Sequence, residues 1–191
     1  DVYSTSVGFR EFYFEEIFYE NYFTETGCDA IINPNIEAMK IFYSDQLLSV
    51  TDGGLGVQIY RYNHNGAITL DSLTSFYVQG GEAESLYSIG NYVIGGFNND
   101  RGCYMALLDS DGNIIGNLTF ADGYSINAID YSNGTLALAA GSDGIIIYEW
   151  NESLSLALKG ILDTGSDNYI YDLKVLGDNI FVASENGISI Y

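Results

Sequence analysis

Four acidic residues recur, one in each copy of a repeated glycine turn: Asp52 in "TDGGLG", Asp100 in "FNNDRG", Asp143 in "GSDG" and Glu185 in "SENG". Carboxylates gathered on one rim could hold a hard cation such as calcium, which prefers several oxygen ligands. The same residue types stabilise tight turns with no ligand at all. The expectation is no cofactor, with calcium the one ion such a rim could take.

Other chemistry is poorly supplied. "DSDGN", residues 109–113, opens like a calcium loop but lacks the downstream glutamate at EF-hand spacing, and reads as a hairpin turn. His64 is the single histidine and falls in the turn "YNHNG", so no Ser-His-Asp or Cys-His set can be built around it. The 26 acids offer many pairs for a glycoside hydrolase or lyase, yet spacing marks out none. Acyl-transfer, phosphoryl-transfer and dinucleotide motifs are absent. Cys28 and Cys103 form no CxxC pair, which argues against structural zinc; they could form one disulfide or remain two buried thiols.

Charge narrows the partners. Six Lys and Arg against 26 Asp and Glu leave a net charge of −20, which repels phosphate backbones and disfavours nucleic acid. No apolar run reaches the length of a membrane span. The chain opens at Asp1 with neither methionine nor a signal-type apolar core, as expected if a leader has been removed. Three N-x-[ST] sequons, at Asn117, Asn133 and Asn151, join scarce lysine and an even cysteine count in pointing to an extracellular or cell-surface setting.

The elements that position these residues repeat. Small polar turns centre on Asp45, Gly90, Asn133 and Asp178, spaced 45, 43 and 45 residues apart. The glycines that open the following strand, Gly56, Gly102, Gly144 and Gly187, are spaced 46, 42 and 43. Two independent markers thus keep one period. Apolar strands flank each marker, and the turns "NHNGA", "DSDGN" and "WNESL" have hairpin chemistry. Four antiparallel strands per repeat, here a to d, at this period predict an all-β, four-bladed β-propeller. Blades are expected at about 36–78, 79–122, 123–167 and 168–191, after an N-terminal segment, 1–35.

The b strands ("LALAA", "IFVAS") run without alternation, as strands buried on both faces do. Ala139, Ala140, Gly95, Gly96 and Ala183 suit close packing near a propeller axis. Solenoid repeats are usually shorter, and a β-sandwich would not explain the regular period.

The units "LLSVTDGGLGVQIY" and "IFVASENGISIY" resemble the LVIVD-type repeats of secreted and surface bacterial β-propellers. The likeness runs over about residues 36–191, and the longer loop and Cys103 of the second unit depart from it. It implies a propeller with a tendency to extracellular interaction, and no catalytic residue set.

The fourth repeat stops after strand c, so its blade is expected to need an outer strand. The expected donor is "GFREFYFEEIFYENYF", residues 8–23, through Phe9, Phe12, Phe14, Phe18, Tyr19 and Phe23. Part of this segment also fits helical spacing. As a strand it could close its own ring or a neighbour's, the latter linking copies into a filament; the 191 residues could also be a piece of a longer propeller. The functional expectation is a non-catalytic structural or interaction module whose partner is a protein or another copy. A carbohydrate-active enzyme is the alternative.

Overall fold

The computed structural model describes residues 38–44, 46–64, 68–165 and 167–191. Fifteen strands occur there, with no helix among the described residues. The first sheet holds β1 (Ala38–Ser44), β2 (Leu47–Asp52), β3 (Val57–His64) and β4 (Ile68–Phe76). The second holds β5 (Ala83–Ile89), β6 (Tyr92–Phe97), β7 (Cys103–Leu108) and β8 (Ile114–Phe120). The third holds β9 (Ala128–Ser132), β10 (Thr135–Ala139), β11 (Ile145–Trp150) and β12 (Leu156–Leu162). The fourth has three described strands, β13 (Ile170–Leu176), β14 (Asn179–Ser184) and β15 (Gly187–Ile190). Each sheet is an antiparallel meander in chain order, and the four sheets are the blades of a four-bladed β-propeller.

Glycine shapes each blade at the start of strand c. Gly56, Gly102 and Gly144 all have positive φ, where L side chains are strained. A Cβ at these positions would also strike the carbonyl oxygens of Phe76, Phe120 and Leu162 respectively, at the ends of the outer strands. The b–c turn can therefore fold back on its own blade only because it carries no side chain there.

Blades are joined by one recurring backbone bond. Ala83 N–H donates to Gly53 O (2.9 Å), Ile126 to Phe97 (3.0 Å) and Ile170 to Gly141 (3.0 Å), each from the entry of one blade to the b–c corner of the one before. Three apolar cores lie between successive blades. Val57, Ile59 and Phe76 meet Val93, Phe97 and Leu108 between blades 1 and 2. Ile94, Cys103 and Met105 meet Ile126, Leu138 and Ile146 between blades 2 and 3. Ala137, Ala139 and Ile145 meet Ile170, Val175 and Val182 between blades 3 and 4. Among the described residues no corresponding core joins blade 4 to blade 1.

The small residues follow this packing. A Cβ on Gly95 would come within 2.7 Å of Val57 Cγ2, and one on Gly96 within 2.8 Å of Ile126 Cγ2, so this pair lets blade 2 approach both neighbours. Ala139 and Ala140 are buried, whereas Ala183 is exposed, contrary to the expectation of close packing there. Alternation along β14 turns Val182 toward blade 3 and Ala183 to the opposite face. The closing strand expected at residues 8–23, with Phe9, Phe12, Phe14, Phe18, Tyr19 and Phe23, lies outside the described residues, as does Cys28.

Overpacking a tight inter-blade contact costs about 1–3 kcal/mol. Gly95→Val should therefore destabilise the fold by that amount in urea titration. Gly160→Ala, on an outer strand where an added Cβ would meet no atom within 4 Å, should stay within about 0.5 kcal/mol of the parent.

Candidate functional site: the axial cavity

Strand pairing places one residue of each innermost strand at the same level: Phe42 opposite Ser49, Tyr87 opposite Ile94, Asp130 opposite Ala137 and Lys174 opposite Phe181. These four residues line a cavity of about 400 Å³, with Phe181 and Ile188 on its blade 4 side. They differ in chemistry around the ring. The Phe42 and Tyr87 rings lie 5.0 Å apart, tilted at 55°. The Tyr87 hydroxyl donates to Tyr131 O (3.1 Å), and Tyr131 packs edge-on against Trp150 at 4.9 Å. Burial, then the charge of Asp130, pushes the Tyr87 phenol above its ordinary range.

Between blades 3 and 4 the link is ionic. Asp130 is only 4% exposed; its Oδ1 accepts from Lys174 Nζ at 2.6 Å and its Oδ2 from Val175 N–H at 2.6 Å. Both carboxylate oxygens are thus engaged. Asp172, exposed, is the other carboxylate on the cavity wall. A second hollow of about 470 Å³ lies on blade 1 among Asp52, Gln58, Tyr60, Ser75 and Tyr77. Burial, followed by the Asp52 charge, raises the Tyr60 phenol.

The four acids predicted for one rim sit one to a blade, but in different settings. Asp52 ends β2 and is buried, whereas Asp100, Asp143 and Glu185 are exposed on the b–c turns. Asp100 accepts from Ser125 Oγ at 3.0 Å, which ties its turn to the chain entering blade 3. No three His, Cys, Asp or Glu side chains gather into a metal-holding group among the described residues. In "DSDGN" the Asp109 Oδ1 accepts from the N–H groups of Asp111 (2.9 Å) and Asn113 (2.8 Å). Its carboxylate is spent on its own hairpin.

Asn117, Asn133 and Asn151 are all exposed. Asn133 and Asn151 fall on adjacent turns, where Trp150 N–H donates to Gly134 O at 2.8 Å, and Ser153 Oγ of the third sequon donates to Asn151 Oδ1 at 2.6 Å. Cys103 is wholly buried in the core between blades 2 and 3, and burial raises its thiol far above the ordinary range. His64 ends β3 at the c–d hairpin of blade 1.

Sequence reasoning missed the axial set of Phe42, Tyr87, Asp130 and Lys174. The available signal was positional: each stands two residues before the end of its a strand.

Comparison with known proteins agrees on the fold. No protein-family model and no curated protein matches the chain. Among solved structures it is similar to the computationally designed Ika4 protein, with a TM-score of 0.64 and 13% identity over 81% of this chain and 89% of that one. The Pan2 WD40 domain of Neurospora crassa gives 0.58 and 15% over 80% of this chain and 45% of that one. A chain of the Mitotic Checkpoint Complex gives 0.57 and 13% over 79% and 46%. The chain thus spans just under half the length of the last two, and nearly all of the designed protein. At these identities the likeness defines the class alone: a four-bladed β-propeller.

Removing Lys174 would leave a buried carboxylate with one backbone donor, a change that costs about 1–3 kcal/mol. Lys174→Met should lower the urea midpoint accordingly, while Lys159→Met, which breaks an exposed pair with Glu149, should change stability by less than about 0.5 kcal/mol. The bonds from Asn113 hold the Asp109 carboxyl below the ordinary aspartate range. Because its folded value is depressed, its contribution to the hairpin is present above the unfolded value of about 3.9 and lost as pH falls through the lower folded value. An NMR titration should show the depressed midpoint, and Asn113→Ala should move it upward.

Proposed function

We propose that this chain is an extracellular, non-catalytic propeller that serves as a structural or protein-interaction module. The observation that carries the reading is the axial cavity. Its buried carboxylate is occupied by Lys174 and Val175, and its aromatic side chains pack on one another instead of framing a reactive centre. Glycoside chemistry needs a pair of carboxyl groups that face substrate, one free to give a proton and one to attack or activate water. Asp130 has no oxygen left for that work.

Further features support the reading. The LVIVD-type likeness of the repeats favours an interaction role on a cell surface, and the three sequon asparagines are accessible to modification. One of the similar propellers belongs to the Mitotic Checkpoint Complex, a protein assembly. The net charge of −20 favours cationic or neutral protein surfaces over nucleic acid as partners. A strand taken from a neighbouring copy at the outer edge of blade 4 would turn the module into a filament subunit. A strand from its own chain would make it a closed monomer.

Two measurements test the proposal. Intact-mass analysis of the protein from its native source should show added sugar on at least one of Asn117, Asn133 and Asn151; unmodified asparagine at all three would defeat the extracellular assignment. Incubation with a panel of polysaccharides should release no new reducing ends or unsaturated products. Turnover that Asp172→Asn abolishes would overturn the non-catalytic reading in favour of a carbohydrate-active enzyme.

A further inference from the structure

Blade 4 can be compared, position by position, with three copies of itself. The first residue after the glycine of strand c is Val57, Cys103 or Ile145 in blades 1 to 3, each 0% exposed; in blade 4 it is Ile188, 85% exposed. Two residues further on, Ile59 and Met105 are 0% exposed, whereas Ile190 is 60% exposed. Strands β2, β6 and β10 are buried nearly end to end, while β14 alternates between buried and open positions. Gly187 keeps the positive φ of its counterparts, but a Cβ there would meet nothing within 4 Å. Those counterparts owe their steric need to an outer strand. Blade 4 thus preserves a turn shaped for an outer strand, together with an apolar face shaped for cover.

The backbone shows where that strand would attach. Ile180 and Tyr191 exchange both bonds, Ile180 N–H to Tyr191 O at 2.8 Å and Tyr191 N–H to Ile180 O at 3.0 Å. In an antiparallel ladder the bonded pairs alternate, so Ser189 and Tyr191 bond inward to β14. The N–H and C=O groups of Ile188 and Ile190 therefore point to the outer edge.

We propose that residues 8–23 of the same chain dock on this edge as the outer strand of blade 4 and cover its apolar face, closing the ring within one molecule. Outer strands β8 and β12 are seven residues long, and β8 alternates between half-buried and exposed positions. Residues 17–23 supply that length and are rich in aromatic residues: in an extended chain Ile17, Tyr19, Asn21 and Phe23 share one side, and Phe18, Glu20 and Tyr22 the other. The tether is sufficient. Residues 24–37 reach about 45 Å when extended at about 3.3 Å per residue. A four-stranded blade is only about 15 Å across at about 4.8 Å per strand.

Charge and entropy choose the source of the strand. A neighbour's segment would bring a second body of net charge −20 against the first, whereas docking of the chain's own segment brings no second molecule. Tethering also presents the segment at an effective concentration in the millimolar range. Closure within one molecule leaves the b–c rim, with Asp100, Asp143 and Glu185, free for partners.

Hydrogen exchange on the full 191-residue chain, read with light scattering, provides the test. The Ile188 and Ile190 amides should be protected in a particle of monomeric mass. Tyr19→Pro in the full chain should remove that protection, since proline cannot sustain the strand, while the Leu138 amide in blade 3 stays protected. Rapid exchange of Ile188 and Ile190 in the parent would overturn the docking. Protection that Tyr19→Pro leaves intact would overturn the choice of segment. Protection accompanied by a mass that grows with concentration would overturn closure within one molecule in favour of donation between copies. None of these outcomes bears on whether the module is catalytic.

Discussion

Stacking of sheet against sheet is the interaction on which this molecule depends. A blade of three or four short strands cannot bury both of its faces alone, so each gains stability only from the blade on either side. The middle strands β6 and β10 show the consequence, with apolar residues on both sides and almost no exposed position. Burying one such side chain contributes about 1.5–3 kcal/mol, and each inter-blade core holds several. Close approach is what makes those cores dry, and Gly95 and Gly96 permit it where blade 2 touches both neighbours.

The same requirement explains the chemistry at the axis. Four inner strands converge there, and their side chains must fill the space or pair within it. This chain uses two aromatic residues on one side and an ion pair on the other, linking blades 1 to 2 and 3 to 4. A buried carboxylate is costly unless its oxygens are met, and Asp130 is met by a cation and a backbone N–H together. The result is a centre built for cohesion. Asp100, Asp143 and Glu185 lie elsewhere, exposed on turns where water screens them.

Much of this is legible in the linear chain. The 42-to-46-residue period, the hairpin turns and the unalternating b strands lead directly to four sheets in chain order. Strand positions are encoded locally, by side-chain periodicity and glycine, and so survive in a linear reading. The glycines that open strand c are a good example: their spacing is visible in the sequence, and their positive φ supplies the cause. The acidic residues recur one per repeat, but spacing along the chain carried no information about Asp52 being buried while the other three are exposed.

What the sequence by itself determined is therefore the repeat, the strands, their order and the propeller class. Only the tertiary structure decided that Phe42, Tyr87, Asp130 and Lys174 meet around one cavity, that Asp130 is neutralised by a lysine 44 residues away, and that Ala183 and Ile188 lie bare while their counterparts are buried. The physical reason is the separation of scales. Hairpin pairing joins residues a few positions apart and leaves its mark as a local pattern. Blade stacking joins residues a whole repeat apart, and whether a given face is covered depends on what lies across it, which no pattern within that strand records.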